Sequence, residues 1–443
     1  MINRIKGTRD YSPLEKSVLE LIRKTFVMQS RNYNFSLIET PVIEMAQLYK
    51  RSVAASDIVK KEMYEFKDKG NREIALRPEG TAGFVRALIE NKWYATLKTT
   101  KFAYFGPMFR YEQPQKGRQR QFYQGGVELI SQEPNPYQDA ELIILADSIL
   151  KTLDIKTRLV INSIGDEESR QNYQNVLKEY FSKYINELNE ISKERLNSNV
   201  LRILDDKEMS QKDFVKKAPK INKYLSQKSQ DYFAKLLSIL DDAGVKYQVN
   251  YSLVRGLDYY DEVVYEFISQ SQNAGAQSTV IGGGRYSHLI SELGGPALTA
   301  SGWGLGVDRV LELLIDDVLA PDEINPEDVD IIVASVNEEN KNQLFNLANE
   351  LRQYGVKIEF AYETVKSKKI FERAKKLNAQ FAIFSDEKND ANMFTVKELE
   401  TGDKIIFSNT EDGFANLLEF LSEHNLEAIN NLEEDLEDEE ETW

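Results

Sequence analysis

Residues 109–122 read FRYEQPQKGRQRQF, four cations and one acid interleaved with aromatics and glutamines. The 443-residue chain has a net charge of −16, so this basic cluster runs against its surroundings. Guanidinium groups beside flat rings suit an anionic, ring-bearing ligand, because the cations pair with the anion and the rings stack. A solvated surface hairpin uses the same residue types. The flanking segments separate those readings.

KFAYFGPMFRYE and RQFYQGGVELI flank the cluster and read as two strands of a long antiparallel hairpin with a basic tip. Side chains alternate along a strand, so Arg110 and Glu112 share one face, as do Phe122, Gln124 and Glu128. An arginine, a ring and polar acceptors on one sheet face are costly as core and sensible as a pocket. No G-x-x-x-x-G-K-[ST] run occurs, so arginines and stacking must hold any nucleotide.

The elements that position these residues are legible in outline. Ser12-Pro13-Leu14-Glu15 reads as a helix start, with a Ser N-cap, Pro at the first position and Glu closing a capping box. VLELIRKTFVMQ continues it amphipathically. FSLIETPVIE looks extended, with Pro41 at a strand edge or end. IALRPEGTAGFVRALIE passes from strand to turn to helix at Gly80-Thr81. Residues 166–240, richer in Lys, Asn, Glu and Ser, read as a helical insertion. Strands resume at YQVNYSLV, EVVYEFIS and STVIGGGRY, and the helix RVLELLIDDVL follows GWGLGV. APDEINPED, residues 320–328, reads as a linker. Beyond it DIIVASV, a helix over 339–353, VKIEFA, a helix over 366–377 and FAIFS alternate as a small α/β domain with at least three parallel strands. The predicted organisation is a domain over 1–325 built on a large antiparallel sheet, an α/β domain over 326–425, and a disordered tail over 426–443.

Composition bounds the chemistry. Hydrophobic residues at 41% and charged residues at 29% describe a soluble globular protein. The start MINRIKGTRD has no signal-type apolar run, and no 18 uncharged apolar residues are consecutive, so no membrane partner is expected. Zero cysteines exclude disulfides and Cys-ligated zinc, which fits a reducing cytoplasm. The two histidines, His288 and His424, are too few and too separated for a metal site of dedicated ligands or a histidine-centred triad. EEDLEDEEE, residues 433–441, holds eight acids and supplies half the net charge. Net acidity opposes indiscriminate nucleic-acid binding, while a local basic surface still suits a phosphate backbone.

Seven segments together resemble the histidyl-tRNA synthetase family of class II aminoacyl-tRNA synthetases, over residues 4–425. They are KGTRDY, IETPVIE, LRPEGTA, FRYE with RQF, LVRGLDYY, IGGGRY and GWGLGVDRV. The resemblance implies a class II catalytic domain followed by an anticodon-binding domain. It implies ATP-dependent formation of histidyl-adenylate, transfer to tRNA(His), Mg²⁺ with the ATP, and a homodimer built through the IETPVIE region. It places Arg110 and Arg255 on the α-phosphate as catalytic groups, Arg110 also reaching the substrate carboxylate. Glu112 and Phe122 would hold the adenine, Arg309 its other face, and Arg118 the terminal phosphates. Glu79 and Thr81 would take the α-amino group and Gln124 the amino acid's polar end. Glu128 and Tyr260 would grip the imidazole, with Tyr286 closing the pocket. Gln115, Gly117 and Arg120 at the hairpin tip are expected to touch tRNA near its acceptor end, the alternative being a solvated tip.

This sequence departs from the family at Gln113, Tyr123 and Ser287-His288, and in SDEKNDANMF of the last domain. Three other readings compete. A regulatory relative, such as the regulatory subunit of ATP phosphoribosyltransferase, would lack the last domain and the motif arginines. A prolyl or threonyl synthetase fits LVRGLDYY and Glu128 poorly. A plain RNA-binding protein leaves the pocket residues unexplained.

Overall fold

The computed structural model describes residues 2–52, 61–113, 118–204, 206, 208–254, 259–274, 278–319, 328–385 and 392–430. The chain divides into two compact units, Met1–Ile324 and Asn325–Trp443.

The strands of the first unit are β1 (Ser36–Leu37), β2 (Ile43–Met45), β3 (Glu65–Lys67), β4 (Glu73–Leu76), β5 (Lys101–Phe109) and β6 (Gln121–Ser131). They continue with β7 (Thr157–Gly165), β8 (Tyr247–Val249), β9 (Asp261–Ser269), β10 (Thr279–Tyr286) and β11 (Thr299–Gly306). Eight of them form one sheet in the order β1-β5-β6-β11-β10-β9-β7-β8. Its interior pairs are antiparallel and only its outermost pairs, β1 with β5 and β7 with β8, are parallel. Strands β2, β4 and β3 make a separate small sheet.

The first helices of this unit are α1 (Pro13–Asn32), α2 (Ala46–Ser52) and α3 (Thr81–Glu90), of which α3 reaches the cavity through Thr81. The capping box at Ser12 and Glu15 forms as expected, each side chain meeting the other's backbone N–H. The helix buries Val18, Ile22 and Phe26 along one stripe, and Phe26 packs edge-on against Trp303 of β11 at 6.1 Å. α3 begins where expected, after Gly80.

Between β7 and β8 lie the helices Glu167–Ser182, Glu190–Ser198, Asp213–Lys216 and Gln227–Asp242. The last of these buries Phe233, Leu236 and Leu240 in the same core as the helix Pro136–Thr152, so it packs as part of the main body. The sequence grouped it with the insertion because its surface residues are equally polar.

One buried ion pair ties strand order to helix position. Arg285 of β10 and Asp139 of the helix Pro136–Thr152 are both fully buried, and their charged atoms approach to 2.9 Å and 3.1 Å. Thr299 and Gln138 accept from the remaining guanidinium N–H groups, and the Tyr232 hydroxyl donates to Asp139. Arg285→Met should cost about 3–5 kcal/mol, since it leaves Asp139 buried without its cation. A urea midpoint unchanged from the parent would show that the pair is dispensable.

The second unit holds β12 (Ile331–Ala334), β13 (Ile358–Phe360), β14 (Phe381–Phe384), β15 (Met393–Glu398) and β16 (Lys404–Ser408), in the order β13-β12-β14-β15-β16. The first three are parallel, as expected, and are joined by the helices Lys341–Gln353 and Ser367–Lys376. β15 and β16 add an antiparallel edge that the sequence reading did not separate from loop. The expected tail begins too early at 426. Leu426 and Ile429 are 2% and 4% exposed in the core of this unit, and residues 427–430 are helical. The acidic run 433–441 lies outside the described residues.

Candidate active site

A cavity of about 470 Å³ opens on the face of the large sheet, lined from β6, β10, β11, the start of α3 and the segments beside them. Its buried end is built around Glu128 of β6, which is 1% exposed. Glu128 Oε1 accepts the Thr81 hydroxyl at 2.7 Å and the Tyr104 hydroxyl at 3.3 Å. Oε2 accepts the Tyr286 hydroxyl at 2.5 Å. Burial pushes the Glu128 pKa up to about 8, despite the hydroxyls that favour the carboxylate, and the nearby Glu79 adds to the rise. Gly302 of β11 stands opposite Glu128, and a Cβ there would lie 2.0 Å from Oε2, so only glycine admits the carboxylate.

Glu79 caps α3 from the loop before it, accepting the N–H groups of Thr81 at 2.6 Å and Ala82 at 2.9 Å. Burial raises its pKa, opposed by those amides and by Arg110. Tyr104, Tyr259 and Tyr286 are all buried with raised pKa values, chiefly by desolvation, so they act as neutral hydroxyls. Gln124 extends from β6 with Oε1 buried and without a partner among the described residues. An orphaned acceptor in a cavity wall is a place for a ligand donor.

The open end carries the cations. Arg110 Nε donates to the Pro78 carbonyl at 2.8 Å, and its guanidinium carbon lies 5.2 Å from the centre of the Phe122 ring. Arg118 Nη1 is 2.9 Å from Glu112 Oε2. Arg309, from the first helix after β11, donates to the Thr279 carbonyl. The guanidinium groups therefore gather away from Glu128, with the carboxylate of Glu112 among them.

Phe122, Gln124 and Glu128 share a face of β6 as alternation predicts. Arg110 and Glu112 do not lie on a strand. β5 ends at Phe109, and Glu112 N–H turns back to the Arg110 carbonyl at 2.8 Å. Both nevertheless reach the cavity, together with Glu79, Thr81, Arg118, Tyr260, Tyr286 and Arg309. Arg120 does not line it. Its guanidinium stacks 3.8 Å from the Tyr111 ring centre and donates to the Glu112 carbonyl. Arg255, Gln115 and Gly117 lie outside the described residues.

Sequence profiles and solved structures bear on this arrangement. The profile described as histidyl-tRNA synthetase matches residues 7–310, and one described as anticodon binding domain matches 329–423. The chain belongs to the histidyl-tRNA synthetase family. The histidine–tRNA ligase of Mycoplasmopsis pulmonis is 42% identical over 423 residues, covering 95% of this chain and 99% of the relative. That of Ureaplasma parvum is 43% identical over 394 residues, covering 88% and 93%. The crystal structure of apo S. aureus histidyl-tRNA synthetase matches with a TM-score of 0.77 at 33% identity, covering 92% of this chain and 97% of that one.

Against that family background, four cavity-region residues escaped the sequence reading. Tyr104 reaches Glu128 from β5, and Tyr259 lines the same end. Glu266 of β9 accepts the Thr279 hydroxyl at 3.0 Å and faces the cavity. Asp308 accepts the Tyr11 hydroxyl and the Tyr123 N–H, each at 2.6 Å, tying the KGTRDY segment to the cavity wall. A missing side chain was the available signal for Tyr104: a Cβ at Gly126 would fall 2.3 Å from its ring. The departure at Ser287 has a structural use. Ser287 donates to both carboxylate oxygens of Asp261, from its N–H at 2.8 Å and its hydroxyl at 2.9 Å.

Proposed function

We infer that this chain joins L-histidine to tRNA(His) in two steps, activating histidine with ATP and then transferring it to the tRNA 3′ end. The observation that carries the reading is the buried Glu128, ringed by three hydroxyls, at the far end of a cavity whose mouth is lined by arginines. An amino acid with an N–H-bearing ring fits that end, and a polyphosphate fits the mouth. The second unit, with its match to anticodon-binding domains, supports tRNA as the acceptor and disfavours a regulatory relative.

In the first step a histidine carboxylate oxygen bonds to the α-phosphorus as the bond to the bridging oxygen breaks, releasing pyrophosphate. A carboxylate is already a nucleophile, so no general base is required. The side chains act by positioning and by meeting charge on the phosphate oxygens. Arg110 bridges the reacting carboxylate and the α-phosphate, and Arg255 is its counterpart by resemblance. Glu112, Phe122 and Arg309 hold the adenine, while Arg118 takes the terminal phosphates. Glu79, Thr81 and Gln124 take the polar end of histidine. Glu128 and Tyr260 meet the two imidazole nitrogens and Tyr286 closes behind them. In the second step a terminal hydroxyl of tRNA attacks the adenylate carbonyl and AMP departs, with Gln115 and Arg120 beside the acceptor end.

Among the described residues no group of three acidic or histidine side chains is arranged to hold a metal. Mg²⁺ bound through nucleotide phosphates needs only one or two protein carboxylates, and Glu266 at the cavity fits that role. Bound there, it supplies charge neutralisation on the phosphates.

A homodimer through the small sheet fits its surface. Ile43, Met45 and Phe66 are 52%, 49% and 46% exposed, and Met45 and Phe66 both lie in register with Ile74. An apolar row of this kind marks a contact surface. Light scattering should give twice the chain mass, and Met45→Lys should shift the protein toward monomer; a monomeric parent would remove the dimer. No helix among the described residues is long and apolar enough to cross a membrane. The absence of cysteine fits a reducing compartment, and we place the protein in the cytoplasm. The function is tested by charging tRNA(His) with labelled histidine: acid-stable charging supports it, and its absence with folded protein rejects it.

A further inference from the structure

Tyr259 and Tyr260 line the cavity, yet they precede β9 and belong to the segment that follows β8. The described parts of this segment, 250–254 and 259–260, are fastened from two directions. From β7, Asn162 Nδ2 donates to the Leu253 carbonyl at 2.8 Å, and the Ile161 carbonyl accepts the Asn250 N–H at 3.0 Å. From the helical stretch between β7 and β8, Arg170 Nη1 donates to the Tyr260 carbonyl at 3.1 Å. Lys220 Nζ donates to the Ser252 hydroxyl at 2.6 Å.

The two cations are linked through the stretch that carries them. Tyr173, one turn beyond Arg170, donates its hydroxyl to the carbonyl of Pro219, the residue before Lys220, at 2.8 Å. Tyr173 is 1% exposed and stacks on Tyr224 at 5.8 Å. The same apolar core contains Leu177 and Phe181 of the helical stretch and Tyr259, Tyr260 and Tyr286 of the cavity. Neither Arg170 nor Lys220 lines the cavity. Lys220 is partly desolvated, which lowers its pKa.

We propose that Arg170 and Lys220 are positioning residues for histidine selection, holding Ser252 and Tyr260 so that the tyrosines close the cavity beside Glu128. The proposal rests on the reading of that end as the histidine site. The helical stretch is thereby part of the amino-acid pocket's support, although it contributes no lining side chain. The arginines at the mouth are fastened elsewhere, Arg110 to Pro78 and Arg309 to Thr279. Loosening the two anchors therefore acts on histidine and spares ATP.

The test is steady-state ATP–pyrophosphate exchange on full-length Arg170→Ala, Arg170→Lys and Lys220→Met, with urea midpoints measured on the same preparations. Arg170→Ala should raise the KM for histidine about tenfold, the usual scale of one hydrogen bond from a charged donor, and leave the KM for ATP within about twofold. Arg170→Lys should recover part of the loss, and Lys220→Met should move histidine KM in the same direction. Should Arg170→Ala fail to fold, Arg170→Lys and Lys220→Met decide. Equal rises in both KM values, or an unchanged histidine KM in folded variants, would overturn the proposal. Absence of histidine-dependent exchange in the parent would instead reject the reading of the cavity.

Discussion

Glu128→Gln should make the protein more stable at pH 8 and nearly useless for activating histidine. The stability half follows from proton linkage. Unfolded, this carboxyl ionises near its ordinary 4.5; folded, burial holds the proton until about 8. Between those values the folded state binds more protons, so the contribution to stability is complete below pH 4.5 and is lost as pH rises through 8. The loss is about 1.4 kcal/mol for each pH unit of that window. Glutamine does not ionise, and its stability curve lacks the decline. Urea midpoints at pH 5 and pH 8 should show the mutant gaining on the parent at the higher pH. A constant difference would mean that Glu128 is already ionised in the fold.

The activity half follows from hydrogen bonding. A buried carboxylate that accepts an imidazole N–H rejects side chains that leave it unpaired, and such sites discriminate by about 10⁴ to 10⁵. The amide keeps the shape and replaces one acceptor with a donor, so histidine-dependent exchange should fall by at least about two decades while ATP still binds. On the proposed reading, the carboxyl that would select histidine is a burden on the empty fold, and the cost should be visible as pH dependence.

Arg110→Ala has the second large effect. Its Nε–H is committed to the Pro78 carbonyl, which fixes the plane of the guanidinium and leaves the terminal nitrogens toward the cavity. Nη1 lies 3.9 Å from Glu112 Oε1, an ion pair too long to hold it firmly. Loss of one such oriented donor from a charge-developing site costs about 10² to 10³ in rate. Single-turnover adenylate formation on folded Arg110→Ala should drop by that amount, with the urea midpoint close to the parent's. Arg110→Lys should restore only part, because an ammonium cannot reproduce the planar fork. A loss below about tenfold would return Arg110 to a structural role.

Local signals in the sequence carried far. The capping box at Ser12, the strand-to-helix junction at Gly80-Thr81 and the hairpin of β5 and β6 each depend on neighbours close in the chain, and each formed. Alternation correctly grouped Phe122, Gln124 and Glu128 because β6 runs unbroken through all three. It failed at Arg110 and Glu112 because the chain leaves β5 one residue before them, where the Arg120 carbonyl accepts the Arg110 N–H. Tyr104, Glu266 and Asp308 were hidden for a different reason. Their roles come from register across the sheet and from contacts with β6 and the KGTRDY segment, which no periodicity encodes. Leu426 and Ile429 were lost to the acidic residues beside them, although two apolar side chains three apart suffice to seat a helical turn on a core.

ATP–pyrophosphate exchange without tRNA, run across all twenty amino acids, tests most directly whether the cavity ending at Glu128 activates histidine. Exchange should depend on histidine and vanish in Glu128→Gln. Exchange driven by another amino acid, or histidine-dependent exchange undiminished in Glu128→Gln, would contradict that assignment.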